Sequence, residues 1–309
     1  MGPLLYISTS TSLVVHFTVF DSASPAFIMA PSSAEKPSST LSLSLSLSPP
    51  TVVDYMSPRR RYFETSIPGR RRRLFVKRSV MPGESPQPDR LGQPLQGSLR
   101  PKESLINEAR AIEYVRKHTT VPVPRTIAAF EDRGAFYLIQ EHLTGILAQN
   151  APASAHPYIV NQLEGFVQQL KGLRSDTVRS FVDGHLFTVP RLVDGDLFNH
   201  AKYAHKKDGY VLCHGDLGWH NITVDPDTFK ITAIFDWEYA GFFPEGMEGE
   251  HWRRQGLSSA HCRGDRVDTT DITRSLYDVG LGPLREVATD EQGTSKVEKL
   301  SMDEGVYVA

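Results

Sequence analysis

The chain has 309 residues, 39% hydrophobic and 23% charged, enough for one large domain or two small ones. Lys and Arg total 34 against 36 Asp and Glu, a formal net charge of −2, so there is no global field for gripping nucleic acid or an anionic membrane. Two cysteines, Cys213 and Cys262, exclude a disulfide scaffold and a Cys-rich zinc site, and a reducing, cytoplasmic location is expected.

Residues 1–57 carry only four charged side chains, Asp21, Glu35, Lys36 and Asp54, and include the repeat LSLSLSLSPP at 41–50. Alternating Leu and Ser has the period of a strand, but nothing nearby supplies a partner, so 1–57 reads as a disordered leader. The stretch 4–20 is apolar, yet Ser8 to Ser12 interrupt it and no basic flank precedes it, which speaks against a signal peptide and a membrane span. Arginine runs at 59–61 and 70–73 read as solvated strand edges, in preference to a nuclear address or a nucleic-acid patch.

Leu74-Phe75-Val76 marks a short strand ending in Lys77. Residues 81–101, rich in Pro, Gly, Gln and Ser, are expected as a loop. Leu105, Ala109, Ile112 and Val115 then recur at helical spacing, with Glu108 bordering the apolar stripe and Glu103 and Glu113 as rival acids on the same helix. Val121-Pro122-Val123-Pro124 ends that helix. A hairpin follows: 127–130, a turn at Glu131-Asp132-Arg133-Gly134, and a buried strand at 135–140. Ile159, Leu163, Phe166, Val167, Leu170 and Leu173 form one face of a second helix over 157–173, which Gly165 and Gly172 weaken. Residues 176–209 read as loop.

Chemistry concentrates in 210–242, YVLCHGDLGWHNITVDPDTFKITAIFDWEYAGF. Ile222-Thr223-Val224 and 229–235 read as two strands joined by a turn at Asp225-Pro226-Asp227-Thr228, with Phe229, Ile231, Ala233 and Phe235 on one face. Such a hairpin brings Asn221 and Asp236 together at its open end, with Asp216 on the loop that feeds the first strand. Two carboxylates and an amide oxygen suit a magnesium–phosphate site, because Mg²⁺ takes oxygen ligands and leaves positions to water and phosphate. Asn221 and Asp236 would hold the metal and Asp216 would orient and deprotonate a hydroxyl, the division of labour of phosphoryl transfer. Lys77 is placed to hold nucleotide phosphates and Glu108 to pair with Lys77.

The paired motif His214-Gly215-Asp216 to Asn221 and Ile234-Phe235-Asp236-Trp237-Glu238 resembles the aminoglycoside phosphotransferase and choline kinase-like family, of protein-kinase-like fold. The wording HGDLGWHN and DWEYAGFFPE is especially similar to the fungal branch of small-molecule phosphotransferases, and the resemblance spans roughly 74–250. It implies ATP, Mg²⁺ and transfer of the γ-phosphoryl group to a small-molecule hydroxyl. It also implies a bilobal α+β fold: an antiparallel-sheet N-lobe over 58–142 and a mainly helical C-lobe over 143–252. Residues 253–309, by contrast, are polar in composition and read as a poorly ordered tail, a departure from that family. By the same resemblance, Gln140-Glu141-His142-Leu143 is the hinge that receives the adenine, so Glu141 and His142 join the nucleotide site.

The sequence departs from that family where only Gly69 is available between 51 and 76 for a glycine-rich loop, and where 30 residues separate Lys77 from Glu108. A nucleotide binder that has lost transfer is therefore the alternative within the fold, and a zinc hydrolase built on His214, Asp216 and His220 the alternative outside it. Glu238, Glu245, Glu248 and Glu250 follow Asp236 closely. As a carboxylate-lined mouth they would favour a cationic acceptor, and as a solvated acidic turn they would carry no preference.

Overall fold

The computed structural model describes residues 13–19, 41–47, 51–52, 60–66, 73–84, 100–187 and 205–256. Most of the expected leader, most of the expected tail and residues 85–99 of the stretch expected as a loop lie outside the described residues. Strand β1 (Leu13–Val19) pairs antiparallel with β2 (Leu41–Leu47) over seven residue pairs. The Leu–Ser repeat thus has a strand partner, contrary to the sequence reading; the partner lies well upstream in the chain.

The first lobe is a five-stranded antiparallel sheet that begins at β3 (Thr51–Val52), earlier than expected, and continues with β4 (Arg60–Ser66) and β5 (Arg73–Ser79). Helix α1 (Pro101–His118) intervenes before β6 (Thr126–Asp132) and β7 (Ala135–Glu141), giving the order β3-β4-β5-β7-β6. Arg133 and Gly134 both take positive φ (49° and 77°), the twist a two-residue hairpin between β6 and β7 needs. Pro101 opens α1, where its missing N–H costs nothing, and the Thr119 N–H closes it on the Val115 carbonyl.

Alternation divides the sheet into two apolar faces. Ala129, Phe136 and Leu138 pack under Leu105 and Ala109 of α1, while Leu74, Val76, Ala135, Tyr137 and Ile139 form a second cluster. Farther along α1, Ala111, Ile112 and Val115 enter the core of the second lobe, so one helix is anchored in both lobes. Its buried side also carries Asn107 and Glu108, polar groups that must find partners there.

The second lobe comprises β8 (Ile146–Leu147), α2 (His156–Gly172), β9 (Arg174–Thr177), β10 (Arg179–Ser180), β11 (His205–Cys213), β12 (Ile222–Val224), β13 (Ile231–Ile234) and β14 (Gly241–Phe243). Two small antiparallel sheets, β10-β14-β11-β9 and β13-β12-β8, share its core with Ile159, Leu163, Val167 and Leu170 of α2. The fold is thus α+β and bilobal, and the helical part of the second lobe is, among the described residues, α2 with short 3-10 turns. Part of the stretch expected as loop at 176–209 is strand, because β11 begins at His205 and pairs back onto β9. No helix among the described residues is long and apolar enough to cross a membrane.

Candidate active site

Strand β11 delivers the chain to His214 at the middle of this core. The imidazole is fully buried, with Nε2 at 3.0 Å from the Phe235 carbonyl and Nδ1 at 3.2 Å from the Asp216 N–H. One donor and one acceptor describe the neutral ring, and burial holds its pKa down at about 4. Both ring nitrogens are therefore spent on shaping the loop, and no group of three or more His, Cys, Asp or Glu among the described residues is arranged to hold a metal. The zinc alternative loses its first ligand.

Gly215 follows with φ 84°, and a Cβ there would meet the Tyr239 carbonyl oxygen at 2.6 Å, so the loop needs glycine on two counts. Glu248, from the turn after β14, lies beneath this loop and accepts the backbone N–H groups of His214 and Gly215. Burial pushes its carboxyl up to about 7, against those donors and the Leu217 N–H. In sequence Glu248 reads as one acid of a mouth or of a solvated turn; the fold buries it.

Asn221 orients Asp216. Its side-chain amide donates to the Asp216 carbonyl at 3.0 Å and to Asp216 Oδ2 at 3.2 Å, which leaves the amide oxygen as the end suited to a cation. Strands β12 and β13 pair Ile222 with Ile234, and the Phe235 N–H donates to the Asn221 carbonyl at 3.0 Å. Asn221 and Asp236 thus sit side by side at the hairpin's open end, as expected. At the closed end, Asp225 Oδ1 accepts the N–H groups of Asp227 and Thr228 and the Thr228 hydroxyl. That tight turn forces Phe229 to a φ of 55°, so β13 starts at Ile231 and the expected Phe229 is not part of the strand.

Asp236 itself adopts the left-handed conformation (φ 68°, ψ 54°), an uncommon state for a residue with a Cβ, and its side chain remains 30% exposed. Trp237 locks the strained position from the far side, its indole N–H donating to the Ile234 carbonyl at 2.8 Å. From the other lobe, Lys77 of β5 reaches Asp236 Oδ1 at 2.8 Å and Glu108 Oε1 of α1 at 2.6 Å. Glu108 is fully buried. Burial opposes both charges at the Lys77–Asp236 contact. The opposing ions win, holding Lys77 above its ordinary value and Asp236 far below the carboxylate range.

The expected Lys77, Glu108, Asp216, Asn221 and Asp236 therefore converge in two linked groups. Glu141 and His142, expected as the adenine hinge, lie at and just past the end of β7. Their N–H groups donate to the Arg125 and Arg73 carbonyls at 3.0 and 3.1 Å, and their side chains pair with Arg125 and Glu64. The four acids read either as a carboxylate-lined mouth or as a solvated acidic turn each have their own partner. Glu238 pairs with Arg60, Glu245 with Lys171 and Glu250 with Arg253, and Glu248 lies under the loop.

Arg60 is the residue that sequence reasoning missed. Placed at a solvated edge by the run around it, the side chain is 2% exposed and lies among Glu108, Asp236 and Glu238. Arg61 and Arg78 are buried as well, and both bind Glu84. A pairing of three distant acids has no local signature in the sequence.

Hard oxygen donors on Asn221 and Asp236 beside a buried lysine fit a magnesium-bound polyphosphate. No family model matches the chain. The chain is 24% identical over 182 residues to the aminoglycoside 3'-phosphotransferase of Streptomyces fradiae, which takes in 50% of this chain. The match spans 66% of that relative's length, just under two thirds. Among solved structures, an aminoglycoside-3'-phosphotransferase of type VIII gives a TM-score of 0.45 at 17% identity, over 77% of this chain and 89% of that one. Aminoglycoside phosphotransferase APH(4)-Ia gives 0.44 at 15% identity, over 76% and 80%.

Proposed function

We propose that the protein moves a phosphoryl group from ATP, with Mg²⁺, to the hydroxyl of a small molecule. The observation that carries this reading is the convergence of Asp216, Asn221 and Asp236 on one hairpin end while the Lys77–Glu108 pair from the other lobe closes on Asp236. The sequence match to a phosphotransferase supports it.

Bound Mg²⁺-ATP would supply the transferable phosphoryl group and the counter-charge for it. Asn221 and Asp236 would hold the metal through oxygen. Lys77, kept charged by Asp236 and Glu108, would bind a phosphate oxygen, with Glu108 fixing its direction. Asp216 would accept the acceptor hydroxyl's proton, held in place by the Asn221 amide and by its own N–H on His214. Recognition of the base at the strap carrying Glu141 and His142 would rest on carbonyls and side chains, since both N–H groups have partners.

The test is a thermal-shift titration with Mg²⁺-ATP, followed by a transfer screen over amino-alcohols, neutral sugars and aminoglycosides. A nucleotide-dependent shift with label appearing on one class supports the reading. A shift without transfer to any class would leave a nucleotide-binding protein, and no shift would remove the reading.

A further inference from the structure

We infer that Arg60 is a positioning residue of this site, the second cation that lets Lys77 and Asp236 meet across the two lobes. The inference rests on the phosphotransferase reading for its effect on nucleotide, but its geometry stands alone. The guanidinium forks: Nη1 lies 3.4 Å from Glu108 Oε2 and 3.6 Å from Asp236 Oδ1, while Nη2 lies 2.5 Å from Glu238 Oε2 and 3.1 Å from Ser104 Oγ. Glu108 is therefore shared, one oxygen on Lys77 and the other on Arg60.

The charges explain why one lysine is not enough. Glu108, Asp236 and Glu238 bring three carboxylates into a space that Lys77 alone would have to balance. Arg60 supplies the second positive charge, and its planar fork serves acids in two directions at once, which an ammonium cannot do. Burial opposes the guanidinium's charge, and the Glu238 carboxylate leads the groups that hold it. The link also joins elements: Arg60 belongs to β4 of the sheet, Glu108 to α1, and Glu238 follows the strained Asp236 in the second lobe. Its neighbour Arg61 instead binds Glu84, so the arginine run divides into one cation at the site and one that fastens the 81–84 turn.

Asn107 strengthens the same seam. Its amide donates to the Glu238 and Ala240 carbonyls, both at 2.9 Å, and its oxygen accepts the Phe181 N–H at 2.7 Å. The backbone on which Glu238 rides is thus fixed from α1, and Arg60 fixes the side chain.

The experiment is a double-mutant cycle of Arg60→Gln and Glu238→Gln, read by urea unfolding and by Mg²⁺-ATP affinity, with Arg60→Lys alongside. R60Q should weaken Mg²⁺-ATP binding by about tenfold or more, since Glu238 and Glu108 are left to repel Asp236. Adding E238Q should recover much of that loss, and R60K, which keeps the charge but not the fork, should fall between R60Q and the unaltered protein. Additive effects in the unfolding cycle, or R60Q binding Mg²⁺-ATP like the unaltered protein, would overturn the inference. If R60Q fails to fold, R60K and E238Q carry the test through their own affinities, and parity of both with the unaltered protein would overturn it. Absence of Mg²⁺-ATP binding in the unaltered protein would sink the phosphotransferase reading instead, and the unfolding cycle would still decide whether Arg60 and Glu238 are coupled.

Discussion

Lys77 and Asp236 are 159 positions apart in sequence, and the ammonium of one lies 2.8 Å from a carboxylate oxygen of the other. Each belongs to a different lobe, so this contact is where the sheet of the first lobe meets the hairpin of the second. The same ammonium touches Glu108 at 2.6 Å, and the three groups form a chain of alternating charge.

Lys77→Met removes the cation and keeps the apolar stem. Glu108, which is fully buried, then retains Arg60 at 3.4 Å, and the protein should lose about 3 kcal/mol of stability, as other broken buried pairs do. Urea unfolding measures it. A loss under about 1 kcal/mol would show that Arg60 alone satisfies Glu108.

Glu248→Gln tests the brace beneath the loop that carries His214, Gly215 and Asp216. Between the ordinary carboxylate range and about 7, folded Glu248 keeps a proton that the unfolded chain has released. Its contribution therefore makes stability fall as pH rises through that window, and is flat above it. Gln does not titrate, so the deficit of the variant should narrow by about 2 kcal/mol between pH 5 and pH 8. A deficit that stays constant or widens would contradict the raised carboxyl.

Gly215→Ala forces a side chain into a position with φ 84° and only 2.6 Å from the Tyr239 oxygen. Stability should drop by about 2 kcal/mol, and turnover should fall further because Asp216 is the next residue. Parallel unfolding and rate measurements separate the two losses; unchanged turnover would mean that loop geometry does not set the position of Asp216.

Gly165→Ala runs the other way. Gly165 sits inside α2, exposed, with nothing within 4 Å of an added Cβ. The substitution should stabilise by about 1 kcal/mol through helix propensity alone. A rise in unfolding midpoint without change in transfer rate is expected, and a fall would mean that α2 is not a regular helix there.

Which parts of the site could be read from sequence follows from how local their causes are. Asn221 and Asp236 flank one short hairpin and Asp216 lies on the loop feeding it; the turn Asp225-Pro226-Asp227-Thr228 announces itself, so their convergence follows from strand period and turn chemistry. Lys77 and Glu108 stood out by order along the chain: an apolar strand, then a helix with an acid bordering its stripe. Arg60 and Glu248 did not stand out, because their burial is created by segments far away. An arginine in a run of three looks solvated until Glu108, Asp236 and Glu238 arrive around it. Glu248 looked like one of several surface acids until the loop at His214 offered it two backbone N–H groups. The Leu–Ser repeat follows the same rule: its period is local, whereas its partner at Leu13–Val19 lies well upstream.

Two carboxylates near one hairpin are given different work, and Mg²⁺-ATP affinity measured by calorimetry on Asp216→Asn and Asp236→Ala separates them. Asp216 is held by the Asn221 amide and the loop, while Asp236 faces the lysine of the other lobe. D216N should bind Mg²⁺-ATP within about threefold of the unaltered protein, whereas D236A, which loses an oxygen ligand, should bind at least about tenfold more weakly. Equal loss of affinity in the two variants, or no loss in D236A, would contradict the assignment of base and metal ligand on which the account stands.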